Sequence, residues 1–97
     1  MRERQALNQF FEGTSIKITA ILSIKTADTA KITIDDPSEN EKVSNANMTK
    51  EADKIYTYVW QSTKDTDDDG DYVVTIKITS GGYIAVTQDN FTLVEQD

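Results

Sequence analysis

Apolar and polar side chains alternate with a period of two along most of this chain, and that alternation constrains its fold more than any other feature. Ile16, Ile18, Ala20, Leu22 and Ile24 fall on one parity, with Lys17, Thr19 and Ser23 on the other; only Ile21 breaks the pattern. Ala30, Ile32 and Ile34 alternate with Lys31 and Thr33, and Tyr72, Val74, Ile76 and Ile78 alternate with Val73, Thr75, Lys77 and Thr79. A pleated strand sends successive side chains to opposite faces, so each segment reads as a strand with one face toward a core and one toward water. Residues 54–61 form another strand, in which Tyr56, Tyr58 and Trp60 share one face and Ile55, Thr57 and Val59 the other, so both faces carry bulk.

Turn chemistry punctuates these runs. Asp35 to Asn40 holds the only proline, Pro37, and Gly81-Gly82 predicts a tight hairpin from the strand ending near Ser80 into residues 83–88. Asp89-Asn90 reads as a bend ahead of Phe91, Leu93 and Val94, while Val43 and Met48 are apolar islands in a stretch suited to edge strands or a crossing between sheets. The count is about seven strands at short intervals, the signature of an all-β, immunoglobulin-like antiparallel sandwich. At 97 residues the chain builds one core. Trp60 and Tyr72 are expected inside it.

The first thirteen residues differ in kind, giving an expected division into an N-terminal arm over 1–13 and a sandwich over 14–97. Ala6, Leu7, Phe10 and Phe11 have the spacing of an apolar stripe on a short helix that Gly13 would terminate. Leu7, Phe10 and Phe11 are therefore the candidate partner-binding residues. The alternative is that the arm folds back over an open end of its own sandwich.

Composition removes whole classes of function. A net charge of −7 opposes binding to nucleic acid and to anionic membrane surfaces. With no histidine and no cysteine there are no imidazole or thiolate ligands and none of the usual nucleophile–base pairs, so neither an enzyme nor a resident cofactor is expected. No apolar run near the N-terminus suits a signal peptide.

Two acidic loops stand out. Asp65-Thr66-Asp67-Asp68-Asp69-Gly70 matches the opening of a calcium loop, with Asp65, Asp67 and Asp69 as ligands and glycine at the sharp turn. The closing glutamate is missing, because Ile76 stands in its place. The reading is thus a solvated acidic turn with no metal, with a weak calcium site as its alternative. Asp35, Asp36, Glu39 and Glu41 read as solvated charge on a turn.

The segment Asp69-Gly70-Asp71-Tyr72-Val73-Val74 resembles the entry to strand F of immunoglobulin-like domains, where the tyrosine hydroxyl closes a corner. The family's paired cysteines are missing. The wider pattern of Pro37, Met48-Thr49, Tyr56-Thr57-Tyr58-Val59-Trp60 and Gly81-Gly82-Tyr83 resembles small immunoglobulin-like structural proteins of tailed phages and prokaryotic viruses, over roughly residues 14–94. That resemblance implies a capsid decoration or head or tail accessory protein, folded in the host cytoplasm and located in the virion. Its partner would be a capsid or tail protein, or a further copy of itself. The alternative is a surface adhesion module that binds glycan or protein, for which Tyr56, Tyr58, Trp60 and Tyr83 would supply an aromatic platform.

Overall fold

The computed structural model describes residues 9–63 and 67–95. They form eight strands: β1 (Gln9–Phe11), β2 (Ser15–Ile21), β3 (Thr29–Asp35), β4 (Glu41–Asn47), β5 (Thr49–Ala52), β6 (Ile55–Gln61), β7 (Gly70–Ser80) and β8 (Tyr83–Val94). One sheet has the order β1-β8-β7-β3-β4 and the other β2-β6-β5, so the chain is an all-β sandwich, as its alternation predicts. Every pairing is antiparallel except β1 with β8.

The alternation becomes burial as it should. Ile32, Ile34, Tyr72, Val74 and Ile76 of the larger sheet face Ile16, Tyr56 and Trp60 of the smaller, and all are buried. The weak stretch over 41–52 is a crossing: β4 ends the larger sheet, Met48 turns inward with its N–H donated to the Ala30 carbonyl, and β5 joins the smaller sheet.

Aromatic rings join the two layers. Trp60 on β6 lies with its ring centroid 5.4 Å from Tyr72 on β7 and 5.9 Å from Phe91 on β8, and Tyr72 stacks on Phe91 at 5.1 Å. The Tyr72 hydroxyl donates to the Asp68 carbonyl at 2.7 Å, which closes the corner before β7. Gly70 begins that strand at φ +128°, and a Cβ there would come within 3.0 Å of the Pro37 ring, so both conformation and space require glycine.

Two expectations fail locally. Asp89 and Asn90 do not bend the chain: β8 runs through them in unbroken register with β7, and the Asp89 carboxylate accepts the Asn90 N–H at 2.8 Å. Gln9–Phe11 is a strand rather than the end of a helix, since Gln9, Phe10 and Phe11 pair in parallel with Thr92, Leu93 and Val94. Hydrogen bonds from the edge of β8 outweigh the marginal stability of a lone helical turn.

Trp60→Ala should destabilise the fold by about 3–5 kcal/mol, because it removes the ring that touches both Tyr72 and Phe91 and no disulfide limits the unfolded chain. Urea unfolding of the two proteins measures this. A loss under about 1 kcal/mol would mean that the sheets are held elsewhere.

Candidate functional site

The acidic end of the sandwich is a structural device. Asp36 is buried, and its carboxylate accepts the N–H groups of Ser38 at 2.9 Å and Asn40 at 2.8 Å, so it organises the turn rather than standing in water. The Asn40 backbone N–H does most to hold the Asp36 pKa below the usual carboxylate value; desolvation opposes it, and the Asn40 side chain, the Ser38 N–H and the Lys42 charge assist. Asp67 is also buried, with one carboxylate oxygen 3.2 Å from Lys42 Nζ and the other accepting the Thr63 N–H at 2.6 Å. Burial raises the Tyr72 pKa, and the nearby charges of Asp67, Asp36, Asp68 and Asp69 raise it further.

The three aspartates of the alternative calcium reading are only partly described. Asp65 lies outside the described residues, Asp67 is already engaged, and Asp69 is exposed. Among the described residues no three carboxylates are grouped to hold a metal ion. Of the partner-binding candidates, Leu7 also lies outside the described residues. Phe10 packs edge-on against Phe91 at 6.1 Å, and Phe11 is half exposed. The aromatic platform is dispersed: Tyr56 and Trp60 are core residues, Tyr58 packs against the core, the Tyr56 hydroxyl accepts the Ala27 N–H at 2.9 Å, and Tyr83 is exposed beside the hairpin turn.

Unused surface lies at the opposite end. The β7–β8 hairpin has strands of eleven and twelve residues, against seven in β2 and β6, so its inner face outruns the smaller sheet. The result is an open cleft of about 460 Å³ between Ala20 to Ile24 on one side and Ile76, Ile78, Ser80, Tyr83, Ala85 and Thr87 on the other, with Ile84 at its rim. Ile21 is 79% exposed and Tyr83 83%. Gly81 and Gly82, at φ +55° and +87°, make the two-residue turn at the tip, a conformation whose twist suits a long hairpin. Sequence reasoning missed this cleft, although two signals marked it. Ile21 was out of phase with β2, and Tyr83-Ile84-Ala85-Val86 is apolar on both parities.

Three outcomes follow for the acidic end. Asp67→Ala should cost about 1–3 kcal/mol by leaving Lys42 and the Thr63 N–H without their acceptor, while Asp69→Ala stays within about 0.5 kcal/mol. Neither calcium nor EDTA should move the melting temperature, and a calcium-dependent rise would restore a metal role. The Asp36 pKa is depressed by folding, so its contribution is present above the unfolded aspartate value of about 4 and is lost as pH falls through the folded value. The melting-temperature gap between parent and Asp36→Asn should therefore be constant above about pH 5 and narrow below about pH 4. A gap that persists into acid would show that the charge is immaterial.

No family model matches this sequence, and no curated protein matches it. Among solved structures the chain is similar to CopC from Methylosinus trichosporium OB3b, with a TM-score of 0.69 and 17% identity over 96% of this chain and 88% of that one. At that identity the likeness concerns the fold. It overturns the relation to immunoglobulin-like proteins of phages and prokaryotic viruses, because the neighbouring sandwich is CopC. The virion structural role, the capsid or tail partner and the virion location with assembly in a host cytoplasm all rested on that relation and fall with it, and the expectation of no signal peptide, read from the N-terminal residues, is withdrawn with the location it served. The motifs that suggested it, the tyrosine corner and Tyr-x-Tyr-x-Trp, are core features of a two-sheet sandwich, and a sandwich serves many functions.

Proposed function

We propose that this chain is a non-catalytic binding protein that takes apolar side chains of a polypeptide into the cleft between β2 and the β7–β8 hairpin. The lining of the cleft carries the reading. Its twelve residues include no charged side chain, in a chain of which 28% is charged. Ser23, Ser80, Thr87 and Tyr83 supply only scattered hydroxyls, so the cleft offers neither an acid nor a base and no paired aromatic faces to stack on a sugar. Its length follows the strands, which suits an extended peptide with alternate side chains turned inward.

The likeness to CopC raises copper as another ligand. The side chains do not fit it. Copper sites draw on imidazole, thiolate and thioether donors, and this chain has no histidine and no cysteine. Of its two methionines Met48 is buried in the core, and Met1 lies outside the described residues. We therefore assign the shared sandwich to the fold and the ligand chemistry to the cleft.

Selection from a displayed library of random peptides tests this. Recovered sequences should alternate apolar residues, and Ala85→Arg, which places a long cation in the cleft from an exposed position, should weaken their binding at least about tenfold with the melting temperature held within about 2 °C. Peptides that bind the variant as well as the parent would place their site elsewhere. Stoichiometric copper binding at micromolar concentration in calorimetry would overturn the assignment in favour of a metal.

A further inference from the structure

The outer edge of β8 is a different surface from the cleft, and it is built unlike the sheet margins at β4 and β5. The Val94 carbonyl accepts the Glu12 N–H at 3.0 Å, so Val94 directs its backbone groups away from β7. The N–H and C=O of one residue in a strand point to the same side, and the side alternates along the chain. Register with β7 is unbroken from Leu93 to Tyr83, so Ile84, Val86 and Gln88 also direct their N–H and C=O outward. Strand β1 pairs with β8 only at Thr92 to Val94, and the Asp89 carboxylate occupies the Asn90 N–H. Among the described residues no strand pairs with the edge from Tyr83 to Gln88.

Proteins normally blunt such an edge with lysine, proline, a bulge or an inward charge. The opposite margin of this sheet does so: β4 carries register shifts against β3, Asn45 at φ +50°, and Glu41 and Lys42 at its start. The margin at β5 likewise has a register shift, with Lys50 and Glu51. Tyr83-Ile84-Ala85-Val86-Thr87-Gln88 has no charge, no proline and no bulge, and Ile84 and Val86 are 61% and 60% exposed.

We propose that this edge binds a second copy of the chain, β8 against β8 in antiparallel register about a twofold axis at Val86. The three outward residues are symmetric about Val86. Val86 meets the Val86 of the other copy, Ile84 meets Gln88, and each exchanges its outward N–H and C=O in full. On the outer face the exposed Val86 and Ile84 side chains cover one another, and on the inner face Tyr83 lies across from Asp89. Charge agrees with this register. Asp89 is the first ionised residue beyond the segment, and six residues of extended chain separate the two copies of it by about 20 Å, more than the Debye length of about 8 Å at physiological salt. A net charge of −7 per copy is therefore not concentrated at the contact. In this register Gly82 and Gly81 of one copy would reach Asn90 and Phe91 of the other, short of Thr92, where the described part of β1 begins. The axis runs normal to the sheet, so the two clefts would face each other across one continuous floor.

Sedimentation velocity on the full chain at rising concentration tests the proposal. A reversible dimer is expected, and Val86→Lys should raise its dissociation constant by about a hundredfold or more, because a residue on the axis opposes its own charge. Val86→Pro should act alike at no cost to the β7 ladder, since the N–H it removes points outward. The chain has no cysteine, so Val86→Cys should oxidise to a covalent dimer much faster than the exposed control Ser38→Cys. A chain that stays monomeric at millimolar concentration overturns the proposal, as does a dimer that survives Val86→Lys or equal crosslinking of the two cysteine variants. A monomer whose Ile84, Val86 and Gln88 amides resist hydrogen exchange would show the edge to be covered by a segment of the same chain. Peptide capture by the cleft is read through Ala85→Arg, and Val86 does not line the cleft, so the two ideas fail separately.

Discussion

Three packed aromatic rings hold the two sheets of this protein together at one end. Trp60, Tyr72 and Phe91 come from β6, β7 and β8, and each touches the other two within 6 Å of ring centroids. Aromatic side chains bury about 150–250 Å² apiece, which is what a small sandwich without a disulfide needs to offset its chain entropy. The corner bond from the Tyr72 hydroxyl to Asp68 then sets where β7 starts, and Gly70 lets that start press against Pro37. Layer spacing, strand entry and the acidic turn are thus consequences of one packed cluster.

Because that clamp lies at the Tyr72 end, the other end is governed by strand length. Two long strands continue past two short ones, and the apolar inner face that they carry has no opposing layer to meet. An exposed apolar surface of this kind is costly in a monomer, and its usual meaning is an occupant. The cleft is what this mismatch leaves on the face of the hairpin; along its side, β1 pairs among the described residues only with Thr92 to Val94, which leaves the rest of the β8 edge without a strand there.

Much of the fold was legible in the sequence because a period of two is a direct statement about a half-buried strand. Ile16 to Leu22, Ala30 to Ile34 and Tyr72 to Ile78 kept their inward parity in the structure. What misled were short signals with two physical meanings. Adjacent Phe10 and Phe11 fit a helical stripe as well as a strand, and only the distant edge of β8 decides between them. Asp89-Asn90 has turn chemistry, yet eleven consecutive ladder pairs with β7 override it. The cleft was harder to see because it arises from a difference in length between strands far apart in sequence. Its local trace, the out-of-phase Ile21 and the two-faced Tyr83 to Val86, looks like imperfect alternation when each strand is read alone.

The two ends of the molecule also differ in how much bonding capacity they leave over. At the acidic end the carboxylates that looked most like chemistry are consumed internally, Asp36 by the Ser38 and Asn40 amides and Asp67 by Lys42 and Thr63. No buried polar side-chain atom among the described residues lacks a partner, so little is left there for a ligand to satisfy. At the hairpin end the backbone groups of Ile84, Val86 and Gln88 face outward beside exposed apolar side chains. Recognition requires groups that the fold has not already satisfied, and among the described residues those of Ile84, Val86 and Gln88 are of this kind. A sandwich shaped like CopC but without imidazole or thiolate donors has its remaining binding capacity in backbone and apolar surface. Those are the means by which one polypeptide recognises another.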